Sequence, residues 1–403
     1  MDMHTRKQYL SKLKQDYLNS NKQQKGKILD EYIKNTAHNR KYVIQQLNNP
    51  KLLKSKQPKK RTEKYGPEVV AVLRVLYKIF DRPCGQRLKE SIDEELERLV
   101  NFGEVKATKE TVSKVKSISS ATIDRKLKPY KRIRQKGVST TKPGTLLKKQ
   151  IAIRVRYWDT TQVGFCETDL VAHCGDTAQG EFLNSVSLTD ISSGWWEAES
   201  IMGKGQIPTT NALKSIKTRT PFKWLGLDSD NGSEFINQHL FKFCKKEQLT
   251  FTRSRPYYKN DNAHIEQKNW THIRKVFGYN RYDTTNEQRI MNDLYRNELR
   301  LYKNFFQPQI KTIRKESDGF NKPKKQRDNP MTPYKRLMTS KQITKETKKE
   351  LTAIYESLNP AELKRQIDKK LSKLFRFTLD KNSKSDIIYK IKSEPRKEVL
   401  VRS

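Results

Sequence analysis

The stretch LDSDNGSEFINQHL, Leu227 to Leu240, decides how the middle of this chain is read. An apolar run, Phe222 to Asp228, reads as a short strand. Asp228, Asp230, Asn231 and Gly232 follow where the chain must turn. Apolar residues then resume as a helix over Asn237 to Glu247. Upstream, GFCETDLVAHC and EFLNSVSLTDISSGWWEAESI mix β-branched and aromatic residues. Turn signals stand at Cys174-Gly175-Asp176 and Ser192-Ser193-Gly194, so three consecutive antiparallel strands are expected. A helix is expected over Thr209 to Lys217 and a strand over Leu249 to Ser254. A polar loop from Asn260 becomes a long helix ending near Phe277. The order β-β-β-α-β-α-β-α predicts a mixed α/β layer.

Acidic residues at a strand end stand out because the chain is so cationic. Its 403 residues hold 84 Lys and Arg against 45 Asp and Glu, a formal net charge of +39. That imbalance calls for a polyanionic partner, and nucleic acid fits best. No long uncharged apolar run exists for a membrane. Val69 to Phe80 is broken by Arg74 and Lys78 and reads as an amphipathic helix. The N-terminus lacks an apolar signal core, so a cytoplasmic location is expected. The four cysteines (Cys84, Cys166, Cys174 and Cys244) form no CxxC pair, which argues against a zinc ribbon or a disulfide framework.

Ahead of the α/β region the pattern is helical. Ile28, Leu29, Tyr32 and Ile33 recur at helical spacing. After a break at Asn35 to His38, Asn39 can cap a second helix with Tyr42, Val43 and Leu47 on one side and Arg40 and Lys41 on the other. This predicts a helix-turn-helix, with an ordinary helical hairpin as the alternative. A second such unit is expected in TKETVSKVKSISSATIDRKLK, where Thr108 and then Ser119 or Ser120 can cap helices and Arg125 and Lys126 lie on the second helix. The expected divisions are a DNA-binding helix-turn-helix at 1–50, a basic linker at 51–64, a second helical domain at 65–130, a basic linker at 131–156, the catalytic core at 157–285, a helical and basic extension at 286–340, and a basic accessory region at 341–403.

Three carboxylates can be singled out. Asp169 lies in the first strand, on the same face as Glu167 by the two-residue period. Asp230 lies at the turn after the fourth strand, and Glu266 lies at the start of the last helix, with 35 residues between them. Asp228 is a possible substitute for Asp230, and Asp190 an impostor in a strand-like word. Hard divalent cations take such oxygen ligands, and converging carboxylates can hold them against a phosphodiester. Arg253, Arg255, Lys259, Lys268 and Arg274 surround the acids in sequence and are candidate phosphate contacts, with Tyr257 and Tyr258 as stacking groups. Trp270 reads as core, and Asn262 as the cap of the last helix.

An aspartate in a first strand, a DNG turn after the fourth and a glutamate 35 residues on make the chain resemble the DDE integrase cores of retroviral-type integrases and related insertion-sequence transposases. The words ETDLVAHCG, GLDSDNGSEFIN and TFTRSRPYYKNDNAHIEQKNW carry the resemblance, strongest over residues 150 to 340. It implies a helical N-terminal region followed by an RNase H-like core, a mixed five-stranded sheet with flanking helices. It also implies Asp169, Asp230 and Glu266 as catalytic metal ligands for two Mg²⁺ or Mn²⁺ ions. The implied activity is cleavage of transposon DNA ends and strand transfer into target DNA by a homodimer or larger assembly. The histidine and cysteine pairs of a viral N-terminal zinc module are missing, which favours the transposase branch. A metal-dependent nuclease without strand transfer, or a catalytically idle DNA-binding protein, are the alternatives.

Overall fold

The computed structural model describes residues 2–49, 63–131, 152–153, 161–230, 232–254, 262–316 and 324–393. They form two compact units, Met1–Lys64 and Tyr65–Ser403. The first contains α1 (Met3–Asn19), α2 (Lys22–Thr36) and α3 (Arg40–Asn48), closed on Leu10, Tyr17, Leu29, Tyr32, Val43 and Leu47. Asn21 and Gln24 make a reciprocal capping box on α2, and Asn39 accepts the Lys41 amide at the start of α3. Ala37 joins α2 to α3 in the left-handed region, with φ 56°. Tyr42 departs from expectation. It is exposed rather than aligned with Val43 and Leu47.

The second unit opens with α4 (Pro67–Ile79), α5 (Gly85–Asn101), α6 (Lys109–Ser117) and α7 (Ser120–Leu127). Thr108 and Ser119 cap α6 and α7 through the Thr111 and Thr122 amides. The α/β layer follows: β1 (Ala152–Ile153), β2 (Phe165–Ala172), β3 (Leu183–Asp190), β4 (Trp196–Met202), α8 (Gln206–Lys217), β5 (Gly226–Ser229), α9 (Gln238–Lys246) and β6 (Thr250–Arg253). Next come α10 (Ala263–Lys268), a π-helical turn over Asn269–Arg274, and α11 (Lys275–Phe277). The sheet order is β1-β6-β5-β2-β3-β4, with β2-β3-β4 antiparallel and β5, β6 and β1 parallel to β2. The expected mixed five-stranded sheet is present as β6-β5-β2-β3-β4. A two-residue strand, β1, adds to its edge beside β6, a length too short for any periodicity to reveal.

Beyond the layer lie α12 (Thr285–Arg296), α13 (Glu298–Phe306), the β7 (Thr312–Glu316) and β8 (Lys324–Arg327) hairpin, α14 (Pro333–Thr339), α15 (Lys345–Ser357) and α16 (Pro360–Ser393). The basic knot KPKKQR thus supplies β8. The C-terminal helices pack back onto the helical region: Arg98 donates to the carbonyls of Tyr355 and Leu358, and Lys370 pairs with Glu298 at 2.7 Å. Tyr302 and Gln307 reach back to the Ile79 and Phe80 carbonyls. Trp195 and Trp196 are both buried.

Two cores sandwich the sheet. Cys166, Leu188, Leu227, Leu213, Ile216 and Leu240 pack between one face and α8 and α9. The other face carries α10 and α12 against the larger core. None of the described helices is long and apolar enough to cross a membrane.

Candidate carboxylate site

The two-residue period sends Cys166 and Leu227 to the α8–α9 side and leaves Glu167, Asp169, Asp228 and Asp230 for the other. Register sharpens this. β2 and β5 run parallel with Glu167 opposite Asp228 and Thr168 opposite Ser229, so Asp169 and Asp230 come next in register, where β5 ends and β2 runs on alongside β3. Neighbouring strands lie about 4.8 Å apart.

The lower pair is structural. Glu167 is fully buried and its Oε2 accepts the Ile265 amide at 3.0 Å. That amide is one of the orphan donors of the first turn of α10, so a side chain from β2 caps the helix that carries Glu266. Asn262, the residue expected to do so, makes no side-chain cap, and its buried Oδ1 has no partner. Asp228 is also fully buried and accepts from Thr252 Oγ1 at 2.5 Å. It faces β6, not an opening, which sets it apart from Asp230.

The upper pair is more open. Asp169 is half-buried. Its Oδ1 accepts the Leu170 amide and its Oδ2 the Asn269 amide, each at 2.7 Å. Asp230 accepts the Gly232 amide at 2.9 Å through Oδ1. A Cβ on Gly232 would come within 2.6 Å of the Glu234 carboxyl carbon. Close approach of Glu234, rather than a left-handed backbone, is what suits glycine there. Burial pushes the Asp169 carboxyl well above the usual range, with the charges of Asp230, Glu266 and Glu234 adding to it. Burial raises Asp230 likewise, aided by Glu234. Glu266 is exposed on α10, one residue beyond the Ile265 amide that Glu167 accepts, and its charge adds to the rise at Asp169.

The donor set fits a hard divalent cation. Its donors are carboxylate oxygens, and the charges of Asp230, Glu266 and Glu234 add to the proton affinity of Asp169. Among the described residues no group of three His, Cys, Asp or Glu side chains forms a ready-made cage. Two carboxylates with phosphate and water completing the shell are nonetheless an ordinary Mg²⁺ arrangement.

The cationic candidates divide. Arg40, Lys41 and Arg125 are exposed, with Arg40 paired to Asp30 and Arg125 bonded to Thr122. Lys126 instead ties its amine to the Tyr65 carbonyl at 2.8 Å. Arg253 is buried at the end of β6 and offers no open surface. Lys268 is buried too, because two residues beyond Glu266 the helix has turned to its inner side. Burial and the charges of Lys311, Arg87, Lys303 and Arg336 drive its amine well below the ordinary range. Arg274 is half-buried, 4.9 Å over the Tyr279 ring. Arg255, Tyr257, Tyr258 and Lys259 lie outside the described residues. Trp270 reverses expectation: it is 42 % exposed, not core. Asp190 is confirmed as structural, accepting from Gly164 and Ser193. His173 is buried between Phe277 and Tyr282 and bonds Ser185, a packed and hydrogen-bonded position, and burial pushes its pKa down to about 3.

Sequence reading missed Asn269 and the capping role of Glu167. Asn269 lies three residues after Glu266, on the same helix face, which is the signal that could have found it.

Fold and site together define a mixed α/β layer with Asp169 within β2 and Asp230 just beyond the end of β5, the strand parallel to it. No protein-family model matches the chain. The uncharacterised protein y4rM of Sinorhizobium fredii (strain NBRC 101917 / NGR234) is 33% identical over 322 residues, spanning 79% of this chain and 91% of y4rM. The chain belongs to the same family as y4rM. Among solved structures it is similar to the HTLV-2 integrase catalytic core domain in complex with magnesium, in its dimeric form (TM-score 0.26, 14% identity, 36% of this chain and 88% of that one). It is also similar to the catalytic core domain of BIV integrase (TM-score 0.29, 15% identity, 43% and 91%).

Proposed function

We propose that the chain is a DDE transposase that cuts the DNA ends of a mobile element and joins them to target DNA. The observation that supports this reading is the register of β2 and β5, which runs Asp169 beside Asp230, together with the bond from Glu167 to the first turn of the helix bearing Glu266. Asp169, Asp230 and Glu266 would hold Mg²⁺ or Mn²⁺. The cation, when bound, neutralises a phosphodiester and polarises it for in-line displacement. Asn269, whose side-chain amide donates to Asp169 Oδ2, would hold that carboxylate in one orientation. Trp270, exposed one turn beyond Glu266, offers a ring on which a displaced base can stack. In the first step a water oxygen bonds to phosphorus, the P–O3′ bond breaks, and the proton ends on the released 3′-oxygen. In the second that hydroxyl bonds to a target phosphorus, whose own P–O3′ bond breaks. Positioning and charge carry such chemistry without a covalent enzyme intermediate.

The two short-turn helix pairs, α2–α3 and α6–α7, would read the element's ends, with Arg40, Lys41 and Arg125 on phosphates. Joining two ends would need at least two copies of the chain. The test is a strand-transfer assay with labelled element ends and supercoiled target in Mg²⁺. Joined product is expected from the wild type and none from Asp230→Asn, which still binds the ends. Cut ends that never join would favour the metal-dependent nuclease. Joining by Asp230→Asn would sink the metal reading.

A further inference from the structure

The sheet face opposite the carboxylates carries a feature that end cleavage does not use. Between α8 and α9 runs an open groove of about 840 Å³. Lys214 and Lys217 on α8, Lys242 and Lys246 on α9, and Lys223 on the connection before β5 all line it, with His239 at one end. The single acid there, Glu247, is already paired with Lys217 at 2.5 Å. Lys214, Lys223, Lys242 and Lys246 are exposed, and among the described residues no carboxylate pairs with them. Lys214 lies 6.0 Å from the Phe243 ring on the groove floor.

This placement costs the protein stability. Lys242 and Lys246 are four residues apart on one helix face, where like charges repel by a few tenths of a kcal/mol. A second helix then turns a further lysine pair toward the same space. Such repulsion is relieved when a polyanion enters. The groove is too long and open for one small anion. A second copy of this chain, itself at +39, brings the wrong charge. The core of Cys166, Leu213, Leu227 and Leu240 separates the groove from Asp169 and Asp230, so a duplex lying there is not the one being cut.

We infer that the α8–α9 groove is a second DNA-binding surface, which grips the sugar-phosphate backbone of a duplex segment away from the carboxylate site. This rests on the reading that the protein acts on DNA. It adds where a segment not undergoing reaction is held.

The test uses the full-length chain and a fluorescent duplex without element ends. The buffer contains chelator, so the metal site does not contribute. The variant carries Lys214→Gln, Lys223→Gln, Lys242→Gln and Lys246→Gln together. The control carries four exposed lysines changed elsewhere, Lys341→Gln, Lys345→Gln, Lys349→Gln and Lys373→Gln, so net charge is matched. Thermal unfolding of both checks the fold. The groove variant is expected to lower the slope of log affinity against log salt by about two to four, and affinity near 50 mM salt by about tenfold or more, well beyond the control. Equal slopes in the two variants would overturn the inference while leaving the transposase reading standing. An unchanged slope with an altered sedimentation coefficient in the DNA-free variant would assign the groove to a protein contact instead. Failure of the wild type to bind any duplex would count against the transposase reading itself.

Discussion

Helices α9 and α10 lie on opposite faces of one sheet and start in opposite ways. α9 is capped from within its own segment: Asn237 accepts the Leu240 amide at 2.9 Å, and Leu240, Phe243 and Cys244 turn inward at helical spacing. α10 has no cap from its own residues. Its first-turn amide is satisfied by Glu167, 98 residues earlier in the chain, and it widens into a π-helical turn after Lys268. Local chemistry therefore writes α9, and the tertiary fold writes α10. The difference shows which helix the site depends on, because the one held from outside is the one whose position must be set against the aspartates.

The strongest way to sharpen this contrast is through the aspartates themselves. Asp169→Asn or Asp230→Asn is expected to lower end cleavage by roughly 10³-fold or more, the scale of removing one electrostatic anchor from a transition state. The same changes should abolish the rise in melting temperature that Mg²⁺ gives the wild type, a shift read by differential scanning fluorimetry. If Mg²⁺ stabilises Asp230→Asn as well as it does the wild type, the ion sits elsewhere.

Next in size is the external cap. Glu167→Met removes the acceptor at similar volume. It is expected to cost about 1–3 kcal/mol in denaturant unfolding and about 10- to 100-fold in cleavage, as loss of an orienting partner does. Glu167→Gln keeps an oxygen for the Ile265 amide and should restore most of both. A variant with normal activity but lost stability would make Glu167 merely a packing residue. Asn269→Ala, which frees Asp169 Oδ2, should reduce turnover about tenfold with little change in DNA affinity. The counterpart on the local helix is smaller. Asn237→Ala should cost about 1 kcal/mol of stability and leave the metal-induced shift intact.

The smallest effect concerns pH. Burial and the Arg336 charge push the Lys311 amine down to about 8, while its unfolded value is the ordinary one for lysine, near 10.5. Between these values the unfolded chain binds the extra proton, so this group makes stability rise as pH climbs through that window and adds no slope below about pH 8, where both states hold the proton. Lys311→Met is expected to flatten that rise in a melting curve series above pH 8. An unchanged slope would mean the amine titrates normally.

The same contrast explains what the sequence disclosed. The β-β-β-α-β-α-β-α succession and the caps at Asn39, Thr108 and Ser119 were legible because each is written within a dozen residues. The two-residue period made Glu167 and Asp169 legible as one face of a strand, while the meeting of Asp169 with Asp230 was implied only by the family resemblance. The edge strand β1 was not, being two residues long. Lys268, Arg253 and Trp270 were misplaced for a shared reason: burial on the last helix and strand depends on which side partners arrive from. Lys268 meets Lys303, Lys311, Arg87 and Arg336 from elements far along the chain. Nothing near position 268 announces them.

The wide turn at Asn269–Arg274 carries one more implication, for how this helix tolerates changes in length. A π-helical turn accommodates a residue more than an α-helical one. Deleting one residue there would let the turn close to regular winding with the residues beyond it still on their present faces, whereas the same deletion in an α-helical stretch would swing everything downstream by about 100°. Phe277, now fully enclosed, would stay enclosed. The wide turn is therefore the place where this helix can lose a residue while Glu266 at one end and the hydrophobic interior at the other keep their positions.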